Sequence, residues 1–354
     1  MENIKNSFKN KIIFIGLDLH KKTWNLTARC EGIHLKYWTM AAIKEKLVEA
    51  LHKFFPEATY TVVYEAGCFG YWLYDYLTEH GIKTIITPPN LIPKEDTLRV
   101  KNNRIDSRNL AIYLEKNILK KVAVPDKQIR LHRAVIRNRR QISKDKRRIQ
   151  NQIRSTLLFH GIECQLPMGK WANHVIDNLY RLKFSDEYFQ ESFRRMLDRL
   201  VMTRKELANQ TRLVKSVAKL TQYEKQIKLL LSIPGVGIIT AIEILMELYN
   251  IQRFSKGNQV AQYIGLTPKE NSTGEPEKAK RGHITHAGNA YLRALFVELA
   301  WRAVRKDGAL LQRFSRIQKK RGKKIAIVAI ARNLAVRIRY LLINNEQYVC
   351  GLVQ

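Results

Sequence analysis

One stretch limits what this chain can fold into more than any other. Residues 11–24, KIIFIGLDLHKKTW, form an apolar run of strand length with a single carboxylate, Asp18, near its end. Such a run reads as a buried strand. Hiding an unpaired charge costs on the order of several kcal/mol, so Asp18 needs a cationic partner, a metal or water at the strand end. The runs that follow set the order of elements. Residues 12–19, 24–30 and 33–39 read as three strands joined by the polar turns His20-Lys21-Lys22 and Glu31-Gly32, an antiparallel meander. A helix is expected over 41–54, a β-branched strand over 60–64 ending at Glu65, a helix over 71–80 and a strand over 82–87. A last helix is expected over 103–116. Residues three apart share a helix face, so Asn103 and Asp106 can point together at whatever Asp18 and Glu65 hold.

Charge narrows the function. The 63 Lys and Arg exceed the 31 Asp and Glu by 32. Neutralising phosphates is the usual employment of such an excess, whereas a membrane surface would require an amphipathic or lipidated anchor. No run of about 18 apolar residues exists and residues 1–11 lack a signal-peptide core, so a cytoplasmic protein is expected, nucleoid-associated when bound to DNA. Cys30, Cys68, Cys164 and Cys350 are far apart and form no CxxC pair, which argues against zinc modules and disulfides.

The middle of the chain is patterned differently. Val135, Ile142 and Ile149 recur by sevens, followed by Ile153 and Leu157, within a basic stretch over 128–160. Residues 137–148 alone hold seven Lys or Arg against one Asp. After a break at 161–169, residues 187–220 repeat the heptad with Phe193, Leu200, Leu207 and Val214. Two such helices should form a hairpin, within one chain or between chains. Its basic face, including Arg137, Arg140 and Arg147, is either solvated or in contact with phosphate, and the imbalance of sign favours phosphate.

The last third opens with LLLSIPGVGIITAIEILMEL at 229–248, which reads as a helix-hairpin-helix. Amides around Gly235 and Gly237, at a helix start, can hold a phosphate; a plain turn between packed helices is the alternative. Residues 262–293, QYIGLTPKENSTGEPEKAKRGHITHAGNAYLR, read as a polar loop stocked with Lys269, Lys278, Lys280, Arg281 and Arg293. A hydroxyl among these cations could attack a phosphodiester. Composition does not choose which one, and on residue types alone residues 271–274 read as a turn whose hydroxyls bond the backbone. His283 and His286 lack a third ligand nearby, so zinc is not expected. The tail over 294–344 reads as helical, with six Lys or Arg among residues 316–324, including Lys319, Lys320 and Arg321.

The segments GLDLHKKTW, YEAGCFGYW, KNNRIDSRNLA, VAVPD and GLTPKENSTG together resemble the insertion-sequence transposases of the one-hundred-and-ten type, also called DEDD or bridge-RNA-guided recombinases. The resemblance covers nearly the whole chain. It implies an α/β plus all-α protein: a ribonuclease H-like (RuvC-like) domain over 1–126, a helical coiled-coil segment over 127–222, and a mainly α transposase domain with helix-hairpin-helix over 223–354. The family's four acids map onto Asp18, Glu65, Asn103 and Asp106, so an Asn stands at the third position. Its carbonyl can ligate Mg2+, but the site has one negative charge fewer. As residues, Asn103 also reads as a helix cap and Asp106 as a partner of Arg104 or Arg108. The GLxPxxxS[ST]G signature puts the nucleophile at Ser272, with Thr273 beside it. The partners implied are donor and target DNA, a structured noncoding guide RNA, and further copies in a homodimer or homotetramer that share a composite site. A hydrolytic nuclease or junction resolvase using only the acids, and an inactive nucleic-acid-binding relic, are the other readings.

Overall fold

A computed structural model describes residues 8–93, 103–163, 166–167, 171–271, 280–285 and 287–351. The chain divides into two units, Met1–Val124 and Pro125–Gln354.

The first unit is built on β1 (Ile12–Leu19), β2 (Thr23–Cys30), β3 (Ile33–Ala41), β4 (Thr59–Glu65) and β5 (Lys83–Thr87), in sheet order β3-β2-β1-β4-β5. β2 runs antiparallel to β1 and β3, while β4 and β5 run parallel to β1. This mixed sheet fits a ribonuclease H-like domain. Successive side chains of a strand point to opposite faces, and the two faces have separate cores. Ile13, Ile15, Leu17, Val62 and Tyr64 pack against α1 (Lys44–Phe54) and α2 (Trp72–Glu79) through Leu47, Leu51, Leu73 and Leu77. Phe14, Val63 and Ile85 face the other way, onto Leu110, Tyr113 and Leu114 of α3 (Asn103–Glu115).

Gly16 sets the closeness of α3. A Cβ there would lie 2.0 Å from the Ser107 carbonyl oxygen and 2.5 Å from the Ala111 nitrogen, so the helix backbone rests directly on the strand. The buried pair Thr27 Oγ1 and Ser107 Oγ, 3.0 Å apart, fastens the same contact to β2. At the far end Glu115 accepts from Arg29 Nε at 2.8 Å and from the Gly32 amide at 2.7 Å.

Among the described residues the second unit is helical apart from one hairpin. α4 (Lys127–Phe159) and α6 (Glu187–Ala218) lie antiparallel and enclose Ile149, Ile153, Leu157, Phe193, Leu197 and Leu200 with α5 (Asn173–Tyr180). The short α5 falls in a stretch with no heptad signal; Ile176 and Leu179 seat it beside the buried Trp171. α7 (Thr221–Leu231), α8 (Ile238–Leu248), α9 (Gly257–Ile264), α10 (Ala290–Val304), α11 (Gly308–Arg321) and α12 (Lys323–Asn344) share one larger core with Val214 and Ile136. Residues 262–293, expected as a loop, include the end of α9 and an antiparallel hairpin of β6 (Pro268–Asn271) and β7 (Lys280–Ile284). No helix of the described residues is long and apolar enough to cross a membrane. Cys30, Cys68 and Cys350 are free thiols.

Candidate functional site

The acids on the sheet meet through register. Asp18 lies opposite Asn25, Asn25 opposite Thr39, and Glu65 opposite Thr87. The β1–β4 ladder pairs Leu17 with Tyr64, which brings Asp18 and Glu65 to adjacent ends of parallel strands. One polar row therefore crosses the sheet: Thr39, Asn25, Asp18, Glu65, Thr87. It lies on the α3 face, because Asp18 alternates with Leu17 and falls in line with Gly16 and Phe14, and Glu65 falls in line with Val63. Phe14 packs toward the later turns of α3 and Gly16 toward Ser107, so the strand climbs toward the first turn of α3, which carries Asp106.

Within the row Asn25 is buried and its Oδ1 accepts from Thr39 Oγ1 at 2.9 Å and Tyr37 Oη at 3.1 Å. The Asp18 carboxylate, 20 % exposed, hydrogen-bonds His20 Nε2 at 3.0 Å. The Arg104 guanidinium lies 5.1 Å over the Tyr37 ring, an interaction of α3 with β3. The Thr87 hydroxyl is fully buried and has no hydrogen-bond partner among the described residues. Sequence reasoning did not single out Asn25, Tyr37, Thr39 or Thr87. Their only signal is a polar side chain recurring at the position where each strand should still be apolar.

Oxygen donors alone suit a hard divalent cation, and the unpartnered Thr87 hydroxyl marks the row as a place where a further polar group fits. Among the described residues no three His, Cys, Asp or Glu side chains gather into a metal-binding set. The Asn103 side chain lies outside the described residues, although its backbone starts α3.

The serine segment is held at its base. Gly265, which ends α9 at φ +83°, and Gly288, at φ +85°, face each other across the two ends of the hairpin. A Cβ on Gly265 would lie 2.1 Å from the Ala287 carbonyl oxygen, and one on Gly288 would lie 2.6 Å from that of Tyr263. The Asn289 amide donates to the Tyr263 carbonyl at 2.9 Å and Thr285 N to Thr267 O at 3.2 Å. The glycines thus let the chain leave and return through one narrow crossing. Ser272, Thr273 and His286 lie outside the described residues, as do the side chains of Lys269, Lys280, Arg281 and His283. Arg293, on α10, donates to the Ala287 carbonyl at 3.2 Å across this base.

Beneath the crossing lies a buried acidic pair on α8. Glu247, 1 % exposed, receives both Arg137 Nε at 2.8 Å and a second guanidinium nitrogen at 2.9 Å, and accepts from Asn289 Nδ2 at 3.2 Å. Asn289 also caps α10 with its Oδ1. Glu243, likewise buried, lies 3.5 Å from Arg139 and bonds Tyr291. Burial pushes its carboxyl above the ordinary range, and the Tyr291 hydroxyl and the nearby arginines only partly oppose this. The Tyr291 phenol is itself pushed up, chiefly by burial. Arg140 covers the Tyr291 ring at 3.5 Å. Arg137 and Arg140 therefore have partners inside the fold, a role hidden in the sequence because Glu247 and Tyr291 stand more than a hundred residues away.

The other basic candidates differ in setting. Arg147 is exposed on α4, and Lys319, Lys320 and Arg321 are exposed in the last turn of α11. Gly235 is packed: a Cβ there would lie 2.7 Å from Arg302 Cβ of α10. Gly237 precedes α8 and opens on free space.

Residues 15–161 match the family model of the DEDD transposase, and residues 227–316 match the model described as transposase of the IS116/IS110/IS902 family. A putative transposase of Sinorhizobium fredii is 30% identical over 297 residues, covering 81% of this chain and 71% of the relative. The chain belongs to this transposase family. Two insertion-sequence transposases extend the likeness. That of the element IS1533 from Leptospira borgpetersenii is 24% identical over 82% of this chain and 84% of its own length. That of IS1111A from Coxiella burnetii is 27% identical over 82% and 79%. An IS110-type transposase acts in DNA transposition and recombination, and its DEDD domain goes with dependence on a divalent metal. The first match contains the polar row on the sheet and α3; the second contains the crossing at Gly265 and Gly288.

Proposed function

We propose that this IS110-type transposase cuts and rejoins DNA through a covalent phosphoserine at Ser272, with donor and target DNA chosen by a structured noncoding guide RNA. The observation that supports the reading is the segment GLTPKENSTG, which lies in the matched region and starts at Gly265, one side of the glycine crossing. In the first step Ser272 Oγ bonds to the scissile phosphorus and one P–O bond to deoxyribose breaks. The serine gives up its proton and the departing oxygen takes one up. In the second step a strand hydroxyl attacks the phosphoserine, the serine oxygen leaves and regains its proton, and the phosphodiester is restored without an outside energy source. Lys269, Lys280, Arg281 and Arg293 are assigned to the charge on the phosphoryl oxygens.

Asp18, Glu65 and Asp106, with the Asn103 carbonyl, would hold a divalent ion, in our reading Mg2+, which supplies Lewis-acid stabilisation of a phosphoryl oxygen. In this chain the row around them fixes the two strand acids by register and keeps Asn25 committed to Tyr37 and Thr39. The amides around Gly237 and the exposed cations Arg147, Lys319, Lys320 and Arg321 would contact backbone phosphates, α7 and α8 acting as a helix-hairpin-helix. The paired helices α4 and α6 would act as the family's coiled coil, in a homodimer or homotetramer whose composite site joins acids and serine.

The test is to incubate the protein with guide RNA and a nicked suicide DNA substrate, then denature. An adduct whose linked peptide contains Ser272 is expected, and Ser272→Ala should lose cleavage and adduct together. Cleavage by Ser272→Ala at the wild-type rate, with no adduct, would reject the serine mechanism in favour of hydrolysis by the acids.

A further inference from the structure

The hairpin of α4 and α6 carries a second basic feature, on a face apart from Arg137 and Arg140, which are turned to Glu247 and Tyr291. Between the helices lies an open cavity of about 420 Å3 walled by Arg139, Lys146, Arg204, Arg212 and Lys215, with the buried Trp171 among its lining. The lining residues form two stripes that carry these cations. Residues 139, 146 and 150 recur along α4, and 204, 208, 211–212 and 215 recur along α6, at the three- and four-residue steps that define one helix face.

Two properties set this groove apart from a solvated charge run. No Asp or Glu is among the described residues that line it. Arg204 and Arg212 are also held in place by neutral acceptors, which orient a cation without cancelling it. Arg139 Nε donates to Thr211 Oγ1 at 3.0 Å, Arg204 to Asn173 Oδ1 at 2.9 Å and Arg212 to Asn209 Oδ1 at 2.8 Å. Arg139 is in addition ion-paired with the buried Glu243 at 3.5 Å, so the free charge of the groove rests on its other cations. Like charges crowded in a chain of net charge +32 repel one another, and a polyanion laid between them turns that repulsion into attraction.

We propose that this groove is a binding site for the phosphodiester backbone of a nucleic-acid strand. The nature of the anion rests on the family's action on DNA; the position of the site rests on the groove itself. Arg204 and Lys215 are separated along α6 by roughly 16 Å at about 1.5 Å per residue. That span equals about five base-pair steps of rise along a duplex axis, at roughly 3.4 Å per step. Trp171 is 2 % exposed and Arg154 lies 5.3 Å over its ring, so the floor offers no face for base stacking. The contact is with backbone and carries no sequence preference. Beyond Arg204 the neighbouring recess brings in Asp177, which marks the end of the cationic track.

The test uses the full-length protein with two probes, a 30-base-pair DNA duplex and a structured RNA of equal length, titrated by fluorescence anisotropy over a salt series. Replacing Arg204, Arg212 and Lys215 together by Gln should lower the slope of log K against log salt by about 2 to 3, since each phosphate no longer neutralised removes about 0.7 to 0.9 from it. A reduction with the duplex alone assigns the groove to DNA, and one with RNA alone assigns it to RNA. An unchanged slope with both probes overturns the site while leaving Ser272 chemistry untouched; the adduct experiment above fails or succeeds independently. Should the triple variant not fold, acetylation of Lys215 in the wild-type protein gives the same answer. At least fivefold protection by bound nucleic acid is expected, and equal labelling with and without it overturns the proposal.

Discussion

Glu247 shows how one residue can tie distant parts of a chain. It is fully enclosed, whereas its partner Arg137 has a side chain 55 % exposed. Removing either partner has unequal consequences. Arg137→Ala leaves a buried carboxylate that still accepts from Asn289, a loss of about 3 kcal/mol on the scale of broken buried pairs. Glu247→Ala leaves an arginine that can turn to water, so its cost should be smaller, about 2 kcal/mol. Urea unfolding of the two variants should give that order. Glu243 supplies a pH test. Its folded carboxyl titrates above the ordinary value of 4.5, so the native state holds the proton more firmly than the unfolded chain. The carboxyl therefore favours folding at low pH, and this contribution is lost as pH rises from 4.5 through the folded value. The melting temperature of Glu243→Gln relative to wild type should accordingly climb across that window and level off above it. A difference independent of pH would contradict the shift.

At the scale of elements, the contact between β1 and α3 positions the sheet acids. Gly16 lies two residues before Asp18 on the same strand face, and α3 touches it with backbone atoms, which cannot step aside as a flexible side chain can. Gly16→Ala should therefore lift α3 from the sheet. The expected loss is at the upper end of the about 1–3 kcal/mol usual for overpacking, or beyond it. Strand cleavage should fall with it because Asp106 moves with the helix. Thermal melts and cleavage assays on one preparation would check both; a variant with wild-type stability would mean that the helix shifts freely. The glycine crossing follows the same logic, with two backbones in contact at Gly265 and Gly288 and the hairpin between them.

At the scale of the molecule, each unit has its own apolar interior. The first has cores on both faces of its sheet, and its helices α1, α2 and α3 supply the residues packed against them among those described. A fragment of residues 1–124 should therefore show a cooperative thermal transition by circular dichroism; a gradual, non-cooperative loss of signal would show that the sheet depends on the rest of the chain.

The sequence by itself determined the order of strands and helices in the first unit, because each is marked by a local period: β1 falls at 12–19 and α3 begins at Asn103, as the apolar pattern requires. It also determined the two long helices, whose heptads put Ile142, Ile149, Ile153 and Leu157 inside. The family's signature segments were readable for the same reason, being contiguous. Tertiary structure alone decided what depends on partners far along the chain. It set the row from Thr39 to Thr87, which exists only through strand register, and the pairing of Arg137 with Glu247 across 110 residues. The groove between α4 and α6 arises the same way, since stripes on two separate helices make a cavity only once a hairpin faces them. A sequence records which side chains are polar, and folding decides which of them share one dielectric pocket, where their interactions become strong.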